Sequence, residues 1–339
     1  MASRRQVLAT IAATATAPVT AAIAAPTLVA CGRSEKPTGR KAIDKVSVLT
    51  GFGTTPRESY SWVADGMGFF REAGIQVSIQ PGAPSDANLK ILASGKAQFA
   101  IVDFVSAVRG ASSEWPNFRV IAAIQHSTLL SMVSLPDRRI ALPIDLSGKT
   151  LGTASAAATQ TLFPTYARLA GIDPARVKIV NLLPDQLPAA LASGRIDAEG
   201  AYLVDTPIIR KAAGGREPVV LPYAKYLTDL YGSVLITTTS LIRTRPDLAR
   251  RFGTAMLRGI RYAVEAPEDA ARVAHAALAV LDPDMVAQTM RQMRPYVDSG
   301  VLDETRVMRG ISLLEAAGLI GPGLTPDRVV DFSLAPKGA

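Results

Sequence analysis

One phrase occurs twice in this chain. Leu89 to Asp103 reads LKILASGKAQFAIVD and Pro188 to Tyr202 reads PAALASGRIDAEGAY, so ASGK at 93–96 returns as ASGR at 192–195. Each copy reads as the end of a helix, a glycine turn and a strand. A chain that writes one α/β unit twice, far apart, builds two lobes of like design facing one cleft. The second unit is preceded by KTLGTASAAATQ at 149–160, a short strand running into a helix whose opening Ser155 is free to cap it.

With 339 residues, the chain is at the size where single cores stop growing, so two domains are expected. Hydrophobic residues at 48% and charged residues at 19% describe a globular protein and exclude a disordered one. The net charge of +8 invites a nucleic-acid reading, but the arginines sit beside acids in helical stretches such as RTRPDLARRF, and no basic run is interleaved with aromatics. A solvated basic surface is the better reading, with no nucleic-acid partner. Cys31 is the only cysteine, and His126 and His275 lack ligand-like spacing, so neither a disulfide within the chain nor a structural metal is expected.

The first residues read as an address. Arg4 and Arg5 precede a small-apolar run without charges, and Cys31 follows Leu28-Val29-Ala30. Pro18 and Pro26 interrupt that run, which makes a permanent membrane helix a poor reading. SRRQVLA resembles a twin-arginine export signal, and LVAC resembles the lipobox cut before a lipid-modified cysteine. Residues 1–30 are thus expected to be a signal peptide, Cys31 an acylated anchor on the membrane, and 31–42 a polar linker.

From Val46 onward strands and helices alternate. VSVLTGFG, IQVSIQPG, QFAIVD and FRVIAAI read as strands, with helices at 61–74, in APSDANLKILASG and in FVSAVRGAS. The same alternation resumes at KTLGT, and YGSVLITTTSLI (231–242) is a strand able to cross back to the first lobe. After Arg243 the pattern is nearly all helix, with VVDFS (329–333) a short strand or docked tail. This predicts an α/β chain with lobe 1 at 43–133 and 234–339, lobe 2 at 134–233, and hinges near 130–145 and 225–240.

Ligands of open α/β lobes sit beyond the carboxyl ends of strands, against loops and helix starts. Ser85 and Ser155 offer hydroxyls there, or cap their helices, and Thr159 lies in the same stretch. Asp103 ends an apolar strand, where its carboxylate accepts ligand N–H groups; Tyr202 and Asp205 occupy the matching place in the other lobe, Asp205 alternatively as a helix cap. Trp62 either stacks on a flat ring or packs on Phe69 and Phe70, and Tyr231 is a candidate for the opposite ring face. Enzyme signatures are absent: the chain has no G-x-S-x-G, H-E-x-x-H, P-loop or dinucleotide fingerprint, and no cofactor is expected. Recognition of a small molecule remains.

WVADGMGFFREAGIQVSIQPG, LASGKAQFAIVD, LSGKTLGTASAAATQTLFPTYARLAGIDPARVKIVNL and ALASGRIDAEGAYLVDTP carry a family likeness over about residues 44–270. The chain resembles the type II periplasmic solute-binding proteins of ABC importers, in the branch of nitrate, sulfonate and thiamine-pyrimidine binders, and looks most like the binders of a thiamine-precursor pyrimidine. The resemblance implies two lobes with central mixed sheets flanked by helices, a solute in the cleft, and a permease with its ATPase as partners. It also implies a flat pyrimidine held between aromatics, here Trp62, with an acid and hydroxyls on its polar edge. Departures fall on ligand-facing positions: Thr206 stands where an acid is expected before Pro207, and Arg57-Glu58 replace an asparagine-histidine pair. Alkyl or aryl sulfonates and aromatic carboxylates therefore stand as alternative solutes, and a secreted enzyme on the same fold as an alternative of another class.

Overall fold

A computed structural model describes residues 43–113, 117–155 and 157–334. The leader, Cys31 and the linker lie outside the described residues.

The first half of the chain lays down β1 (Asp44–Leu49), α1 (Tyr60–Gly66), α2 (Phe69–Glu72), β2 (Ile75–Gln80), α3 (Ser85–Ala93), β3 (Phe99–Asp103), α4 (Phe104–Ser112) and β4 (Phe118–Ala123). There follow β5 (Leu130–Ser134), β6 (Thr150–Thr153), α5 (Ala158–Leu169), β7 (Lys178–Asn181), α6 (Leu187–Ala192), β8 (Ala198–Tyr202), α7 (Thr206–Ala212), β9 (Val219–Pro222) and β10 (Ser233–Thr238). The remainder is helical: α8 (Thr239–Thr244), α9 (Pro246–Glu265), α10 (Pro267–Ala277), α11 (Pro283–Met293), α12 (Glu304–Ala316) and α13 (Pro326–Val329).

Two five-stranded sheets result, in the orders β2-β1-β3-β10-β4 and β7-β6-β8-β5-β9. In each sheet one strand runs against its neighbours: β10 is antiparallel to β3 and β4, and β5 is antiparallel to β8 and β9. Each is the strand by which the chain arrives from the other lobe, so it enters from the cleft side, whereas strands joined by helical crossovers run parallel. The chain passes between sheets through 124–129 and 223–232. The expected boundary between residues 133 and 134 is therefore corrected. It would cut β5, which pairs along its length with β8 in the second sheet. The hinge ranges move with it, from 130–145 and 225–240 to these two segments. The terminal VVDFS is a docked tail and no strand: Val329 ends the short helix α13, Val330 alone bridges to Val120, and both are buried.

The repeated phrase becomes α3 running into β3 and α6 running into β8. Gly95 and Gly194 hold φ at 75° and 80°, a left-handed turn that explains why glycine recurs between helix and strand. Of the helices, α9 shows how the sequence covers a sheet. Leu248, Phe252, Ala255, Met256, Ile260 and Ala263 recur at helical spacing and are buried, and Phe252 stacks on Phe99 of β3 at 3.8 Å between centroids. Trp62 lies in that same apolar cluster.

α1 approaches α9 closely because Gly259 has no side chain. A Cβ there would stand 2.3 Å from Ala64 Cβ and 3.0 Å from the Tyr60 carbonyl oxygen, a backbone atom that cannot step aside. Gly259→Ala should therefore force the two helices apart and lose about 1–3 kcal/mol. Urea unfolding checks this by a lower midpoint with an unchanged slope.

Candidate functional site

The strand ends β3 and β8 face each other across a cavity of about 680 Å³, a volume suited to a small organic molecule. The first lobe lines it with Phe52, Arg57, Ser85 and Asp103, and the second with Ser155, Thr159, Glu199, Tyr202 and Asp205.

Asp103 and Tyr202 are the last residues of the two repeated units, and they meet: the Tyr202 hydroxyl donates to Asp103 Oδ2 at 2.7 Å. Ser85 Oγ accepts from the Asp103 backbone N–H at 3.1 Å and lies 3.5 Å from Asp103 Oδ2. It ties α3 to β3 instead of capping α3, whose N-cap is Pro84.

Arg57 is the hub of the first lobe's wall. Its Nη1 donates to Asp205 Oδ2 at 2.8 Å, its Nε donates to Glu58 Oε1 at 3.1 Å, and its guanidinium lies 3.8 Å from the centre of the Tyr202 ring. Glu58 is buried and holds the loop after β1, accepting from the Gly51 N–H at 2.8 Å and from the Tyr60 hydroxyl at 3.2 Å. Asp205 precedes α7 at the N-cap place, but its side chain makes no cap bond and goes to Arg57 instead. Thr206, where the resemblance expects an acid, turns from the cavity: its Oγ1 is 3.0 Å from Gln292 Oε1 on α11.

Electrostatics follow from burial. Desolvation pulls the Arg57 pKa down, but Asp205, Tyr202, Glu58 and Asp103 around it outweigh that and hold it above its ordinary value. Desolvation raises the Asp103, Glu58 and Asp205 carboxyls, each opposed by hydrogen bonds or by Arg57. Glu199 has the least relief. It sits mid-strand on β8, between Gly152 of β6 and Val133 of β5, is 3% exposed, and its Oε2 has no hydrogen-bond partner. Burial first, then the nearby Asp205 charge, push its pKa up to about 8. It is the functional group that the sequence reading misses. The visible signal is an acid inside an otherwise apolar strand, where a buried charge needs a reason.

Thr159 lies in the first turn of α5, and its Oγ1 is 3.1 Å from Thr153 Oγ1. Gly200 lets that turn come close, since a Cβ there would stand 2.8 Å from Thr159 Oγ1. Ser155 lines the cavity but does not cap: α5 starts at Ala158 with Ala157 as N-cap and no side-chain cap bond. The N-cap side chain makes no bond to α5, and Ala158 and Thr159 of its first turn line the cavity, where backbone N–H groups at a helix start favour an oxygen atom.

Trp62 and Tyr231 are corrections. Trp62 is buried in the first lobe's core and is not among the residues lining the cavity; with Phe70 and Phe252 in the same cluster, burial of its ring wins over exposure to a ligand. Tyr231 packs edge-on against Phe104, accepts from the Asp303 N–H at 2.8 Å and lies under Arg306, so its ring is also committed elsewhere. The aromatics of the cavity are Phe52, unremarked in the sequence, and Tyr202.

Comparison with known proteins fits this geometry. The sequence model of the family described as NMT1/THI5 like matches residues 59–270. The formylaminopyrimidine-binding protein of Halalkalibacterium halodurans is 26% identical over 235 residues, covering 69% of this chain and 70% of that one. Among solved structures, the periplasmic aliphatic sulphonate binding protein SsuA from Escherichia coli superposes with a TM-score of 0.70 at 12% identity, over 86% of this chain and 99% of that one. The desulfurization enzyme DSZB superposes with a TM-score of 0.57 at 17% identity, over 87% of this chain and 97% of that one. The last two share the fold.

Glu199 makes stability depend on pH. Its carboxyl holds a proton in the folded chain up to about pH 8, but in the unfolded chain only up to the ordinary carboxylate range. The folded state therefore binds more protons between those values, and stability falls as pH rises through that window. Glu199→Gln removes the effect. Thermal melts should show the variant more stable than wild type by a few kcal/mol at about pH 8 and above, with the gap closing toward about pH 5.

Proposed function

Because the chain belongs to the NMT1/THI5-like family, we propose that it is an extracytoplasmic solute-binding protein. It captures a small, flat nitrogen heterocycle related to formylaminopyrimidine and hands it to an ABC importer's permease and ATPase. The observation that carries the solute class is the charge of the cavity. Asp103, Asp185 and Asp205 all line it, and among the described lining residues Arg57 is the one basic side chain, already paired with Asp205 and Glu58. Such a wall attracts N–H donors and repels an anionic head, which argues against the sulfonate and carboxylate alternatives despite the shared fold.

In this reading the ring lies against Phe52 and Tyr202, its N–H groups meet carboxyls, and a carbonyl oxygen meets the start of α5 at Ala158 and Thr159. The enzyme alternative is weaker. Among the described lining residues there is neither cysteine nor histidine, so a nucleophile paired with a base is not assembled there. We propose also that Arg4-Arg5 direct export and that Cys31 carries the anchor, two or more acyl chains being needed for stable attachment.

Two experiments test these readings. Calorimetry should show formylaminopyrimidine binding, with Phe52→Ala weakening it about tenfold and Trp62→Phe leaving the affinity unchanged. An alkanesulfonate bound more tightly than the pyrimidine would overturn the solute class. Intact-mass analysis of the membrane fraction should show a chain beginning at Cys31 with a lipid-sized increment. An unmodified Cys31, or a chain still carrying Arg4, would overturn the anchor.

A further inference from the structure

Glu199 and Ala201 share one face of β8, because side chains alternate along a strand. That face looks toward α6 and α7: Ala201 clusters with Leu187, Ala190, Leu191 and Ile209, and Leu187, Ile208 and Ile209 line the cavity together with Glu199. The cavity thus has two unlike parts. One holds Arg57, Asp103 and Tyr202. The other is an apolar chamber with one carboxyl set in its wall, and Oε2 of that carboxyl is buried without a partner.

A polar atom buried without a partner is costly, so a fold keeps one where something else completes it. Among the described residues of the elements around it none supplies a cation, and Arg57, in the cavity's other part, is paired with Asp205 and Glu58. α6 (LPAALA), β5 (LSMVS) and β6 (TLGT) carry no charged residue. On α7, Arg210 is directed to Glu217 and Gln288, and Lys211 to Asp282. The remaining titratable neighbours, Asp205 on the turn after β8 and Asp185 at the cavity's edge, are acids. A carboxyl so placed is uncharged at neutral pH, and then it offers one O–H donor beside one carbonyl acceptor.

We infer that Glu199 selects this chain's solute, its carboxyl pairing with a neutral edge on which a ring nitrogen stands beside an N–H. The N–C=N edge of an aminopyrimidine is such a group: the acid O–H donates to the ring nitrogen, and the acid carbonyl accepts from the amino group. Two hydrogen bonds form side by side in an apolar chamber, where each counts for more than in water. The inference rests on the heterocycle reading above, and its test separates the two.

Isothermal titrations of wild type, Glu199→Leu and Glu199→Gln with formylaminopyrimidine, cytosine and methanesulfonate, from about pH 7 to about pH 9.5, decide it. Glu199→Leu should lose at least about tenfold in affinity. Glu199→Gln, which keeps a donor beside an acceptor, should restore most of that loss. Wild type should weaken by about tenfold per pH unit above about pH 8 as the donor proton leaves, while Glu199→Gln should not. Equal binding by wild type and Glu199→Leu would overturn the assignment and leave the heterocycle reading standing. Affinity that rises with pH and is lost in Glu199→Gln would overturn it in favour of a carboxylate gripping a cation. Tight, Glu199-dependent binding of cytosine without binding of formylaminopyrimidine would uphold Glu199 and overturn the pyrimidine-precursor reading. Binding of methanesulfonate alone, or of no probe, would overturn both.

Discussion

Arg57 is the buried charge on which the rest of the structure depends. It holds Glu58 within its own lobe and reaches Asp205 and Tyr202 in the other, while Tyr202 reaches back to Asp103. An ionic cluster of this kind is a poor source of net stability, because taking the charges out of water cancels most of their attraction. What it supplies is definition. Removed from its partners, each buried group would be costly, so the two lobes have a specific closed arrangement in which all are satisfied at once. Were the lobes to part, Arg57 would keep Glu58, and the groups on the second lobe would return to water; closure would then also form the cavity wall. A second tie, between Thr206 on α7 and Gln292 on α11, lies outside the cavity and joins the lobes without touching a solute.

The sheets explain why these residues meet. Both have the same strand order, and in each the repeated phrase supplies the third strand, β3 in one and β8 in the other. The carboxyl ends of the two equivalent strands point into one cleft, so the last residue of each copy, Asp103 or Tyr202, is delivered to the same place. The antiparallel strands β5 and β10 are the fourth in each sheet, and the connections that bring them are the two crossings. A duplicated design thus places unlike chemistry, an acid and a phenol, at equivalent positions.

Much of this is legible in the sequence, for identifiable reasons. Period-two apolar runs and glycine turns mark β3 and β8, and strand ends next to helix starts mark Ser85, Asp103, Thr159, Tyr202 and Asp205 as cavity residues. Local pattern fails where a side chain's choice depends on distant residues. Trp62 and Tyr231 each have a solvent-side and a core-side reading, and only the packing of α9 and of α12's Arg306 decides between them. The Asp205 carboxylate has an N-cap open to it in sequence, yet a guanidinium far back in the chain takes it. Ser155 precedes its helix by too much because α5 begins at Ala158, and no periodicity marks that shift in an alanine-rich stretch. Glu199 is hidden by its own strand: read by alternation it is merely one of the two faces, and only the apolar chamber behind it shows that the acid is buried and unpaired.

The central claim is that a solute closes two lobes around the Arg57 cluster. Small-angle X-ray scattering of the purified chain, stripped of ligand and then saturated with the solute it binds, tests this most directly. The account predicts a smaller radius of gyration in the bound state, and a profile for Asp205→Asn that stays closer to the open form at the same solute concentration. Superimposable profiles with and without bound solute would contradict it.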